Sequence, residues 1–267
     1  MPANPVHFVD THVHLDAQEF DADRPAVIER AQQAGVAQLV IPAVHSANFT
    51  AVRELAHQIP GAVYALGIHP LYVQHAKPQD LQTLTQALQT HRQDPKLAGV
   101  GEIGLDGFVA GADMALQTHY FHAQLKLAKQ FDLPVIMHVR KAQDLILKGL
   151  RTFKPKAGIA HAFNGSQQQA EAFIGLNCCM GFGGTLTFER SLQIRRLLCN
   201  IDPNFLVLET DAPDIAPHWI YKQRNEPAQL RRIAQVAANL LGISEDALAR
   251  LSTSNAIRVL PALAEGT

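Results

Sequence analysis

The sequence predicts a (β/α)8 barrel of the TIM type, an α/β fold, on three observations. Short apolar runs alternate with longer amphipathic stretches across all 267 residues, a length that suits one large barrel. The runs are nearly continuous in Val, Ile, Leu and Phe, as strands of a parallel sheet buried on both faces must be. The first run ends in Asp10-Thr11-His12-Val13-His14, without the glycine-rich phosphate loop that opens a doubly wound sheet.

Taken in order, strands are predicted over His7–His14, Ala37–Pro42, Ala62–Ile68, Leu97–Ile103, Pro134–His138, Gly158–His161, Asn177–Phe182 and Asn204–Glu209. Helices are predicted between them, over Asp23–Ala34, Asn48–Gln58, Pro78–Arg92, Asp113–Phe131, Lys141–Phe153, Ser166–Ile174, Ser191–Cys199 and Glu226–Leu241. A last helix, Ser244–Leu260, opens on the capping sequence Ser244-Glu245-Asp246. No linker or low-complexity stretch interrupts the period, so a single domain over residues 1–267 is expected.

Composition narrows the function. The hydrophobic fraction of 47% supports a sizeable core, and the net charge of −1 speaks against a broad basic face for long nucleic acid. A local pocket for one or two phosphates remains compatible with that balance. Arg195-Arg196 and Arg231-Arg232 read as solvated helix faces. Cys178, Cys179 and Cys199 have neither zinc nor redox spacing and read as free thiols. Met1-Pro2-Ala3-Asn4-Pro5 lacks the features of a signal peptide, and no run is long enough for a membrane helix. A cytoplasmic protein with no membrane contact and no protein partner is expected.

The 13 histidines are the anomaly, because several end apolar runs. Catalytic groups of a barrel sit at the C-terminal strand ends. Reading those ends gives His12 and His14, then His69, Glu102, His138, His161 and Asp211. Residues two apart in a strand share a face, so His12 and His14 can reach one ion. An isolated pair of this kind, or a lone strand-end histidine, is as readily structural. Convergence of four histidines and two carboxylates at one mouth is different, since burying that set without an ion leaves charges uncompensated.

Six donors exceed one tetrahedral site and divide into two sites bridged by Glu102. His12, His14 and Asp211 complete one, and His138 and His161 the other. Imidazole and carboxylate donors suit two divalent ions, Zn²⁺, Mg²⁺ or Mn²⁺. Paired ions activate water for hydrolysis, with Asp211 placed to take its proton. No serine-nucleophile elbow is present, and no cysteine has a nucleophile context. The strand-end acids are ringed by histidines, unlike the free carboxylate pair of a glycosidase.

At this point the motifs match a known family. Asp10-Thr11-His12-Val13-His14-Leu15-Asp16, Gly67-Ile68-His69-Pro70, Gly101-Glu102-Ile103-Gly104-Leu105-Asp106, Leu133-Pro134-Val135-Ile136-Met137-His138-Val139-Arg140, His161-Ala162-Phe163-Asn164-Gly165-Ser166, Leu208-Glu209-Thr210-Asp211-Ala212-Pro213 and Arg224-Asn225-Glu226-Pro227 occur in order. Over residues 7 to 258 the chain resembles the TatD family of metal-dependent deoxyribonucleases, within the amidohydrolase superfamily. The resemblance implies the same six ligands and phosphodiester cleavage, often of DNA from the 3′ end. Ala162, Asn164 and the stretch Gly107–Gly111 depart from the family pattern at the pocket wall, which bears on substrate preference.

Four residues are substrate-binding candidates. His69 either bonds a substrate phosphate or supports the turn at Pro70. Arg140 lies two beyond His138 and either forks onto a phosphate or pairs with Asp144. Asn164 leads into a helix start whose N–H groups suit an anion, unless Ser166 is simply its cap. Arg224 begins a stretch that either closes over the site or caps the next helix. Glu209 and Asp10 flank ligands and are candidates for orienting imidazoles, and Asp106 for a turn contact. The leading function is a metal-dependent phosphodiesterase on DNA or a nucleotide. The alternatives are an amidohydrolase or lactonase on a small cytosolic metabolite, and a metal-binding scaffold without turnover. Near-neutral charge further predicts weak nucleic-acid contact and low processivity.

Overall fold

A computed structural model describes residues 7–266; the segment Met1–Pro5, read above as no signal peptide, lies outside them. Eight strands pair in parallel and in sequence order: β1 (Phe8–Asp10), β2 (Val36–Pro42), β3 (Ala62–Leu66), β4 (Leu97–Asp106), β5 (Val135–Arg140), β6 (Gly158–His161), β7 (Cys178–Phe182) and β8 (Leu206–Leu208). The ring closes where Thr11 N–H donates to Leu208 O (3.0 Å) and Asp211 N–H to His12 O (2.9 Å), with Val13 bridging Ala212. Around it run α1 (Arg24–Gln33), α2 (Phe49–Gln58), α3 (Pro78–His91), α4 (Met114–Gln130), α5 (Gln143–Phe153), α6 (Gln167–Ile174), α7 (Leu192–Asn200), α8 (Leu230–Leu241) and α9 (Glu245–Val259). The fold is the TIM barrel that the alternation predicts.

Several boundaries differ from expectation for local reasons. β1 stops at Asp10 because the chain beyond it splits its bonds, Thr11 donating to the β8 side and Val13 to Val40 O of β2. β4 runs on to Asp106, since Ile103–Asp106 stay in register with Met137–Arg140 of β5. β8 is short because Pro203–Phe205 form a 3-10 turn, with Phe205 N–H donating to Asp202 O, which delays the strand's start to Leu206. α8 starts only at Leu230, after a 3-10 turn at Pro227–Gln229. Ser166 and Ser244 cap α6 and α9, their hydroxyls accepting from Gln169 and Ala247 N–H.

The barrel interior changes character along its axis. Towards the N-terminal strand ends it is apolar: Val9, Val40, Ala98, Ile136, Ile159 and Val207 pack with Val259, Leu260 and Leu263. The side chain of Gln38 donates to Leu263 O (2.7 Å), fixing the C-terminal segment across that end. Two residues beyond Ile136 comes His138, and two beyond Ile159 comes His161. By strand alternation these histidines point the same way as the apolar plug, but at the other mouth. Cys178 and Cys179 are buried and Cys199 is exposed, all three free. Among the described residues no helix is long and apolar enough to cross a membrane.

Candidate metal centre

Glu102 stands at the middle of the C-terminal mouth, 1% exposed. Its two oxygens face two different groups of imidazoles. Oε2 lies 3.1 Å from His12 Nε2 and 3.4 Å from His14 Nε2. Oε1 lies 3.0 Å from His161 Nε2, 3.1 Å from His138 Nδ1 and 3.3 Å from His69 Nε2. Asp211 Oδ1 is 3.6 Å from Nε2 of both His12 and His14. The other five expected ligands and His69 therefore gather around Glu102.

The donor set fits divalent cations on its own chemistry. His12 Nε2 and His14 Nε2 point at each other 3.2 Å apart; two neutral imidazole lone pairs hold that approach only around a shared proton or cation. Three groupings, His12 with His14 and Asp211, His12 with Glu102 and His161, and His69 with Glu102 and His138, each gather donor atoms within 4.8 Å of one another. Burial disfavours charge on Glu102, but His69, His12 and His161 outweigh it and hold its carboxyl well below the usual range. Burial raises Asp211 to about 6, against the pull of His161 and His14. His14, despite burial, is raised to about 9 by Glu102 and Asp211.

Outer partners fix the inner ring. Asp106 is buried; its Oδ1 accepts from the N–H of Phe108 and Val109, the expected turn contact, while Oδ2 holds His138 Nε2 at 2.9 Å. Burial opposes its charge, yet His138 and the Phe108 amide pull it down to about 2. The sequence alone predicts only the turn. The parity of Glu102, Gly104 and Asp106 along β4 was the available signal for the second contact. Glu209 Oε1 lies 3.6 Å from His161 Nδ1 and accepts from Ala162 N–H. Asp10 orients no imidazole: it accepts from Thr210 N–H and from His12 N–H, tying β1 to the segment after β8.

Asn225, which sequence reasoning left without a role, is fully buried. Its Nδ2 donates to Thr210 O and Asp214 O, both 2.9 Å away, on either side of Asp211. That clamp holds Asp211 in its left-handed conformation, a strained state that surrounding contacts must impose.

The substrate candidates scatter. His69 belongs to the centre, 7% exposed, with Nδ1 accepting from Leu71 N–H. Arg140 does not pair with Asp144, whose Oδ1 accepts from Gln169 instead; its guanidinium lies 4.0 Å from the Phe108 ring centroid. Asn164 is exposed at the rim, its carbonyl accepting from Gln143. Arg224 is committed elsewhere, forked onto Asp23 with N–O distances of 2.6 and 2.9 Å and bonded to Glu19 O. Its neighbour Glu226 pairs with Arg30 at 2.6 Å, so the Arg224–Pro227 stretch straps the β8 loop to α1. A groove of about 920 Å³ bordered by Phe188, Arg195, His218 and Tyr221 lies apart from the clustered donors, none of which lines it.

The comparisons agree with this geometry. The family model described as TatD related DNase matches residues 9–261. The "uncharacterized metal-dependent hydrolase YjjV" of Escherichia coli K12 is 38% identical over 249 residues, covering 93% of this chain and 95% of that one. A crystal structure of YjjV superposes with a TM-score of 0.92 at 37% identity, over 97% of this chain and 99% of the other. The "3'-5' ssDNA/RNA exonuclease TatD" of Erwinia billingiae is 32% identical over 263 residues, 95% of this chain and 99% of its own. At 19% identity a TatD family hydrolase from Entamoeba histolytica shares the fold, with a TM-score of 0.83. The chain belongs to the TatD-related DNase family.

Proposed function

We propose that this protein is a divalent-metal-dependent phosphodiesterase that removes nucleotides from the 3′ end of single-stranded nucleic acid in the cytoplasm. The observation that carries the reading is the division of Glu102: one oxygen faces His12 and His14, the other His138 and His161. Two divalent cations, Zn²⁺, Mg²⁺ or Mn²⁺, would be held by Glu102 with His12, His14 and Asp211 on one side and with His138 and His161 on the other. Bound ions would lower the pKa of water toward about 7 and neutralise charge developing on the phosphoryl group.

The chain's own residues supply the rest. Asp211, at the open side of His12 and His14, takes the proton of the attacking water. Glu102 fixes both groups of imidazoles and keeps its charge despite burial. Asp106 and Glu209 set the orientation of His138 and His161. In this reading His69 and Arg140 meet phosphate oxygens, and the exposed Asn164 is a further substrate contact. Arg224 reaches substrate only by releasing Asp23. The named activity of the Erwinia relative, on single-stranded DNA and RNA, supports the substrate class.

The test is a substrate scan with metal-loaded protein. Turnover of phosphodiesters above phosphomonoesters, lactones and amides is expected. Strong turnover of lactones or amides alone would overturn the proposal in favour of a small-metabolite hydrolase.

A further inference from the structure

Beyond Asp106, the rim between β4 and β5 carries two side chains beside Arg140, Phe108 and Lys141, that the proposed chemistry leaves unused. Phe108 is 52% exposed. The guanidinium carbon of Arg140 lies 4.0 Å from its ring centroid, and Lys141 Nζ lies 4.6 Å from it. Among the described residues neither cation has a carboxylate within ion-pair distance. Two like charges thus converge on one ring with nothing opposite them. The ring attracts each by its quadrupole, but it does not cancel their mutual repulsion. A bound anion would.

The rim is built rather than loose. Gly107 N–H donates to Arg140 O (2.8 Å), and a Cβ at Gly107 would meet Lys141 O at 2.6 Å, so the two loops touch through backbone. Lys141 sits at φ 50°, in the left-handed region, which turns its side chain back toward Phe108. The rim is also coupled to the metal centre: Phe108 N–H donates to Asp106 Oδ1 (2.8 Å), and Asp106 Oδ2 holds His138 Nε2 (2.9 Å). Arg140 follows His138 by two residues on β5 and shares its side of the strand.

We infer that Phe108, Arg140 and Lys141 form a subsite for the phosphate next to the one being cleaved, in a single-stranded nucleic acid. The two cations hold that phosphate, and the exposed ring keeps them together while lying against the adjoining nucleotide. The inference rests on the phosphodiesterase reading and adds the residues that let the enzyme prefer a strand over an isolated diester. An exposed aromatic beside unpaired cations is the arrangement that tracks single strands elsewhere.

The test compares wild type with Lys141→Gln, Lys141→Arg and Phe108→Ala, all three at exposed positions. The substrates are a short single-stranded DNA and bis(p-nitrophenyl) phosphate, across about 50 to 200 mM salt. Lys141→Gln is expected to raise KM for the oligonucleotide and to reduce the slope of log(kcat/KM) against log[salt] by about 0.7, one single-strand phosphate contact. Lys141→Arg keeps the slope. Phe108→Ala weakens oligonucleotide cleavage about two- to thirtyfold, while all variants leave the small diester within about twofold of wild type. A salt slope unchanged in Lys141→Gln, or equal losses on both substrates, would overturn the subsite while leaving the phosphodiesterase reading standing. A wild type that cleaves neither diester would overturn both.

Discussion

Glu102 holds its charge where burial alone would remove it, because imidazoles surround both of its oxygens. That carboxylate in turn shifts His14, His138 and His161 toward their protonated forms, and bound cations would take the place of those protons. The proposed ligands answer to separate tests. Asp211→Asn keeps a donor oxygen but loses the base, so turnover is expected to fall at least a hundredfold, on the order expected for general-base loss, with metal content by elemental analysis unchanged. Unchanged turnover would remove Asp211 from the base role. Asp106→Asn leaves all six ligands in place but loosens His138, and metal affinity is expected to drop about 10–100-fold, read by competition with a chromophoric chelator. The strand-end histidines were legible because a polar residue closing an apolar run is conspicuous. The Asp106–His138 and Asn225–Thr210 contacts were not. The first needed the true length of β4, and the second a loop path that brings residue 225 back under Asp211.

At the scale of elements, the alternation of apolar runs and helices found every strand. It misjudged ends where tertiary bonds decide, as at β1 and β4. Long-range ties of this sort also carry stability away from the site. Asp94, before β4, accepts from Arg53 and His57 of α2 and from Tyr64 of β3, at 3.1, 2.9 and 2.9 Å. Burial opposes its charge, but His57, the Lys96 amide and Tyr64 hold it down to about 2 from 3.8. Because the folded pKa is depressed, this tie stabilises fully above about pH 4 and is lost as pH falls through about 2. Asp94→Asn is expected to cost about 1–2 kcal/mol at neutral pH after allowance for the half-exposed partners. It should also flatten the acid limb of stability between about pH 4 and pH 2. Urea unfolding across pH checks both; parallel acid limbs in wild type and variant would contradict the assignment.

On the scale of the whole molecule, the barrel concentrates an apolar layer at one end and its buried ionisable side chains at the other. Ions that bind only the folded chain stabilise it by mass action, about 2.7 kcal/mol at a hundredfold excess over Kd. Chelation is therefore expected to lower Tm by roughly 5–10 °C for a chain of this size, with recovery on adding metal back. A Tm indifferent to chelator would argue against ions at the mouth. The net charge of −1 gives strands little to hold beyond the mouth, so digestion products should shorten gradually across the population rather than one strand at a time. The most direct measurement is digestion of a labelled single-stranded oligonucleotide by metal-stripped protein, with Mg²⁺, Mn²⁺ or Zn²⁺ restored, beside Glu102→Ala. Stepwise loss of 3′ nucleotides that returns with metal in wild type and is absent in Glu102→Ala is the predicted result. Cleavage that persists in Glu102→Ala, or none with any of the three ions, would contradict a nuclease centred on this carboxylate.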